Sequence, residues 1–222
     1  MAHVVLKEPW GTIDLDTAKR HVWVRQTWEY AWQAIEKQAS WTADEKLAFH
    51  HAVDRAVWGH WSHRGRIQAR SAGHMPHPAT DQHKWQVAGF VLTLSFDVKM
   101  VHSGGNWKTT AFKVDPLVKP RHRAEVDFDK RTVKLFSTDL LVHRAARLIP
   151  GDPWHEGFNV HAHEFGHTLQ VRDEYDPKTS RFIDDIDSMM NVGRHIRPRH
   201  LGLICKTLRK MIPGCAFVAL GP

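Results

Sequence analysis

Five consecutive residues, His163-Glu164-Phe165-Gly166-His167, have the types and spacing for metal-assisted hydrolysis. On a helix, side chains four apart lie one above the other. Both imidazoles can therefore reach one cation, while Glu164, about 100° round, reaches water bound to it. Zinc held in this way lowers the pKa of its water to about 7 and polarises a carbonyl, and the carboxylate passes the water's proton to a leaving amine. The pattern needs context, because among chains with 18 His and 8 Glu in 222 residues roughly one in twenty carries it by chance. Two His make an incomplete site, and a third protein ligand is usual. A Glu from a later helix is closed to this chain, whose last Glu is Glu174, seven residues after His167. The other common solution places the ligand six residues after the second His, past a sharp turn that ends the helix. That residue is Asp173.

From His163 to Tyr175 the segment HEFGHTLQVRDEY resembles the HExxHxxGxxH/D active-site helix of metzincin zinc peptidases, in the form with Asp as third ligand. The run is similar to bacterial and toxin-type metallopeptidase effectors. Ser188-Met189-Met190-Asn191 looks like the family's Met-turn, with Met190 23 residues after His167. The resemblance covers roughly residues 155 to 200, under a quarter of the chain. It implies a zinc metalloendopeptidase in which Zn2+ sits on His163, His167 and Asp173, with Glu164 as general base. It further implies a protein or peptide substrate along an edge strand and, as in toxin-type peptidases, export and a dedicated inhibitor or immunity protein. One departure is Gln170 where the family has Gly, since a non-Gly residue in a left-handed turn costs about 1 kcal/mol. That departure bears on the turn and so on the choice between Asp173 and its neighbour Glu174; Asp173 is the expected third ligand, with Glu174 left to orient an imidazole or the basic tail. Two alternatives keep the site. One is a peptidase or amidase acting on peptidoglycan cross-links, which positive charge would favour. The other is a noncatalytic zinc-stabilised binding module, which has no need of Glu164.

Neighbouring residues are weaker candidates. Tyr175 could donate to an oxyanion, although a packing role is the simpler expectation. His161 lies on the other side of the helix from His163. Asp184, Asp185 and Asp187 read as a solvated acidic loop, and Arg194, Arg197, Arg199 and His200 as its basic counterpart.

The elements that must position these residues are expected to form one α+β, metzincin-like domain over 1–222, with a helical part at 1–62, a sheet at 65–137 and the site with a C-terminal helix at 153–222. Residues 17–38 place Val24, Trp28, Ala31 and Ile35 on one helical face, and Thr42 with Glu45 makes a capping box for a second helix. Val87–Val101 and Trp107–Val114 suggest a hairpin around Ser103-Gly104-Gly105-Asn106, and this hairpin is the expected substrate edge. A second hairpin is expected over 123–136, and Arg66–Ser71 could add a strand, making a mostly antiparallel or mixed sheet of four or five. Pro150-Gly151-Asp152-Pro153 breaks the chain before a helix over 158–171, and a last helix runs from Pro198 to about Met211.

Composition sets the outer bounds. Charged residues at 25% and hydrophobic ones at 42%, with ten Trp and ten Phe, describe a folded chain and exclude disorder. No apolar run is long enough to span a membrane. The opening residues show no secretory signal, so any export is expected to use a specialised route. Cys205 and Cys215 exclude a disulfide scaffold and leave room for a single bridge. The net charge of +7 divides unevenly: residues 152–187 carry nine acids and three bases, whereas 188–222 carry six bases and no acid. An acidic segment followed by a basic tail points to local pairing or a cation site, and no nucleic-acid partner is expected.

Overall fold

The computed structural model describes residues 3–35, 38–71, 89–115, 123–140, 159–178 and 180–221. Three strands open the chain where helices were expected: β1 (His3–Glu8), β2 (Gly11–Asp16) and β3 (His21–Ala34). The reason lies in β3. Val24 and Trp28 fit a helical period, but Val22, Val24, Gln26 and Trp28 also alternate, and all four are fully buried while the residues between them are not. Branched and aromatic side chains at a period of two suit a strand with one buried face. The capping box does open a helix, α1 (Ala43–Trp61), with Thr42 Oγ1 accepting from Glu45 N at 3.2 Å and Glu45 Oε2 from Thr42 N at 2.8 Å.

The remaining elements are β4 (Arg66–Ser71), β5 (Val91–Val101), β6 (Trp107–Lys113), β7 (Glu125–Asp127), β8 (Thr132–Phe136), α2 (Val160–Thr168), α3 (Gly202–Met211) and β9 (Cys215–Leu220). Among the described residues the nine strands form one mixed sheet in the order β7-β8-β6-β3-β5-β4-β9, with β2 carrying β1 and pairing with β3. The chain is therefore α+β, but nine strands and three helices replace the expected metzincin-like arrangement of N-terminal helices and four or five strands. The second expected hairpin is present, with β7 antiparallel to β8. The first is not, because β3 lies between β5 and β6 and runs parallel to both. The break at 150–153 and the first residue of the expected site helix lie outside the described residues, as do Val87 and Ala88.

Two features of the sheet bear on the site. First, β4 pairs with β5 only at Val91–Thr93. Further along, side chains on and just after α1 close that edge: Ser62 Oγ accepts from Phe96 N (2.9 Å), Asp54 Oδ1 from Val98 N (2.9 Å) and His50 Nε2 from Met100 N (3.2 Å). Neither β5 nor β6 then has a free edge for a substrate, contrary to expectation. Second, β7 pairs with β8 alone, so its outer edge is open among the described residues. Cys205 and Cys215 are both buried and are not joined to each other in a disulfide. No described helix is long and apolar enough to cross a membrane.

Candidate metal centre

Helix α2 starts at Asn159, whose Oδ1 accepts the Ala162 N–H at 3.0 Å and so meets one of the donors a helix start leaves over. Eight of its nine residues are buried, His163 among them, and the ninth, His167, is half-buried. Three neighbours hold the helix. Trp61 Nε1 donates to Ala162 O at 2.7 Å, Gln26 Nε2 donates to Thr168 Oγ1 at 2.9 Å, and Phe165 packs edge-on against Trp61 and Phe96. His161 turns away and packs edge-on against Phe49. Gly166 lets the chain pass close: a Cβ there would overlap Met190 Sδ and come within 3.0 Å of Trp61.

The helix ends in a Schellman motif, with Val171 N donating to Gly166 O (3.2 Å) and Gln170 N to His167 O (2.9 Å). This motif needs a left-handed residue, and Gln170 takes that role at φ 64°. The turn carries the chain back past the two imidazoles. His167 Nδ1 donates to Val171 O at 2.7 Å, and His163 Nδ1 donates to Met189 O at 2.8 Å in the segment read as a Met-turn. A carbonyl only accepts, so both Nδ1 atoms carry protons and both Nε2 atoms are the positions open to a cation. Both face Asp173 Oδ1, at 3.0 Å from His163 Nε2 and 3.2 Å from His167 Nε2.

Electrostatics follow from this packing. Burial alone would raise the Asp173 carboxyl, but the hydrogen bonds from His163 and His167 outweigh it and hold the group well below the usual carboxylate range. Burial would lower His167, yet its bond to Asp173 and the nearby Glu164 raise it. Glu164 is 4% exposed, and burial raises its pKa against the pull of His167 and His163. Its Oε2 is buried with no hydrogen-bond partner. Ligand atoms of His163, Glu164 and His167 lie within 4.8 Å of one another, the one such His/Cys/Asp/Glu group among the described residues.

Glu174, one residue on from Asp173, points elsewhere. Arg199 grips it with two bonds of 2.6 and 2.7 Å, and His200 Nε2 donates to its Oε1 at 3.2 Å. These contacts overcome burial and bring its pKa down to about 2. Arg199 also reaches Asp185, which Arg197 holds through bonds of 2.9 and 2.6 Å. The basic tail is thus folded onto the acidic segment. Asp184 and Asp187 are exposed. Tyr175 stacks on His163 with ring centroids 6.1 Å apart, and its buried hydroxyl has no partner.

Two concavities meet at Asp173. One, of about 380 Å³, is lined by Arg123, Ala124, Glu125, Val126, Glu164, His167 and Asp173, which sets the open edge of β7 beside the two carboxylates. The other, of about 420 Å³, lies beyond Gln170–Glu174 and includes Arg172, Arg181 and Phe182. Arg123 and Asp139 were not singled out from sequence. Arg123 lies 40 residues before His163, and only the fold brings it near. Asp139 is buried, which raises its pKa to about 6, and the charge of Glu164 adds to that rise. Comparisons with protein-family models, with curated proteins and with solved structures find no match.

Proposed function

We propose that the chain is a zinc-dependent endopeptidase in which His163, His167 and Asp173 hold the metal and Glu164 is the general base. The observation that carries this reading is the convergence of two Nε2 atoms on one carboxylate oxygen, next to a buried carboxylate that has no partner. With both Nδ1 protons committed to backbone carbonyls, the two rings and Asp173 can share their space only through a positive centre, either protons or a cation. Two imidazoles and one carboxylate are a donor set that suits zinc, with one position left open. When bound, zinc acidifies water and polarises a carbonyl.

The chain's own residues supply the rest. Met189 O and Val171 O fix the tautomer and tilt of the rings. Glu164 Oε2, shielded from solvent and unpaired, is placed to accept a proton and return it to a leaving amine. The unpaired edge of β7 offers main-chain hydrogen bonds to an extended peptide beside that carboxylate. This strand replaces the 87–114 hairpin as the expected substrate edge. The similarity to metzincins that supports the reading is confined to the helix, its turn and the 188–191 segment; the sheet has a different arrangement.

The test is zinc content together with hydrolysis of a peptide mixture for wild type and Glu164→Gln. We expect zinc in both and a loss of about 10²–10⁴ in kcat for the variant. Equal activity in the two would sink the assignment of Glu164. Zinc in both with no hydrolysis by wild type would favour a metal-stabilised binding module.

A further inference from the structure

The charges around the site do not balance in the way the sequence suggests. Of the acids in 173–187, Asp173 is engaged by two imidazoles, and Glu174 and Asp185 are engaged by Arg199 and Arg197. Glu125, the remaining acid lining the first concavity besides Glu164, is paired with Lys134 at 2.9 Å. Asp176, Asp184 and Asp187 line neither concavity, so the charged groups that face the mouth beyond these pairs are guanidiniums. Arg123 is 72% exposed, its nearest carboxylate oxygen is Asp173 Oδ2 at 3.6 Å, and its guanidinium makes no hydrogen bond among the described residues. It lies 5.3 Å from the centre of the Tyr175 ring, which holds the head over the site without using its donors. Across Asp173, exposed Arg172 and Arg181 line the second concavity.

We propose that Arg123, with Arg172 and Arg181 beyond Asp173, makes this a site for acidic peptides, whose carboxylates are gripped on either side of the reactive centre. The word "reactive" rests on the peptidase reading above, but the binding preference does not. A planar guanidinium with five free donors matches a carboxylate in a two-bonded fork. The alternative use of Arg123, neutralising Asp173, is the weaker one: its ion pair to Oδ2 is 3.6 Å long, beyond hydrogen-bonding distance, and on an exposed side chain, whereas the two imidazoles engage the other oxygen, Oδ1, at 3.0 and 3.2 Å.

The experiment uses the full chain loaded with zinc and carrying Glu164→Gln, so that binding is read without cleavage. Fluorescein-labelled peptides that differ only in Glu, Gln or Lys at their central positions are titrated by anisotropy at about 0.15 M salt. The Glu peptide should bind about tenfold more tightly than the Gln peptide. Adding Arg123→Glu should abolish that preference and turn it toward Lys. Arg66→Glu makes the same change of charge at an exposed position of β4, five strands away from β7 in the sheet, and should leave the order unchanged. Equal affinity for Glu and Gln peptides would overturn the proposal. So would an order untouched by Arg123→Glu, or one shifted as much by Arg66→Glu, which would mean attraction to the whole basic molecule. Incubating the Glu peptide with the Glu164-containing chain separates the two readings: charge-selective binding without cleavage removes the peptidase and leaves the acidic-peptide site.

Discussion

Asp173 and Glu174 are neighbours in the chain, and the two regions they enter are opposites. Around Glu174, each carboxylate meets a guanidinium fork: Glu174 with Arg199, Asp185 with Arg197 and Arg199, and His200 closing the cluster against Ser188. Around Asp173 the groups are two imidazoles with their Nδ1 atoms committed, a second carboxylate whose buried Oε2 has no hydrogen-bond partner, and one guanidinium in a long ion pair at 3.6 Å. The first region is complete in itself and fixes where the tail lies. The second gathers electron-pair donors around one carboxylate oxygen, where a proton or, on our proposal, a cation would sit. Buried charge thus has two meanings one residue apart, and the geometry of the partners separates them more surely than the count of acids does.

Breaking the closed region should have the largest effect on stability. Arg199→Ala leaves Glu174, 5% exposed, without its guanidinium and facing a His200 ring that is neutral, since Nδ1 accepts from Arg197 N, and should cost about 3 kcal/mol in urea denaturation. The acid dependence carries the same signature. The folded pKa of Glu174, about 2, is below its ordinary value of 4.5. A depressed carboxyl contributes stability that is complete above the unfolded pKa and is lost as pH falls through the folded one. Wild type should therefore weaken between about pH 4.5 and 2, and Arg199→Ala should weaken less over that window. Parallel curves for the two proteins would show that the network is not the cause.

Disturbing the floor of the open region should have a middling effect. A methyl on Gly166 meets Met190 Sδ and Trp61, both fully buried, so Gly166→Ala should cost about 1–3 kcal/mol and weaken zinc binding with it. Unchanged stability would show that Met190 does not support the helix. The turn between the two regions should give the smallest change, and in the other direction. Gln170 holds φ 64°, so Gln170→Gly should add about 1 kcal/mol or less while zinc content stays the same. Lower stability in that variant would mean that the Gln side chain does something beyond filling the turn.

Much of the site was legible in the sequence because its logic is local. The spacing of His163 and His167, the sixth position beyond and the left-handed turn between them all lie within one short run of chain. A helix and its cap obey the same rules wherever they occur. The Thr42–Glu45 box and the 123–136 hairpin were readable for the same reason. The sheet was not. Val24 and Trp28 fit both a helical and an alternating period, and the deciding residues, Val22 and the polar but fully buried Gln26, do not mark a helical face. Gln26 becomes intelligible only with its partner Thr168, 142 residues later. Parallel pairing of β3 with β5 and β6 leaves no local turn to find, so two strands separated by a good turn sequence were read as partners. Arg123 is hidden for the same reason, since only the path of the chain before β7 brings it to Asp173.

The central claim is that Asp173, and not its neighbour, completes a metal site with His163 and His167. Zinc per chain, measured by elemental analysis after dialysis for wild type, Glu164→Gln and Asp173→Ala, tests it most directly. We predict one zinc in each of the first two proteins and none in the third, with Asp173→Ala still folded because the Glu174 network is intact. Stoichiometric zinc in folded Asp173→Ala, or none in wild type, would contradict the account.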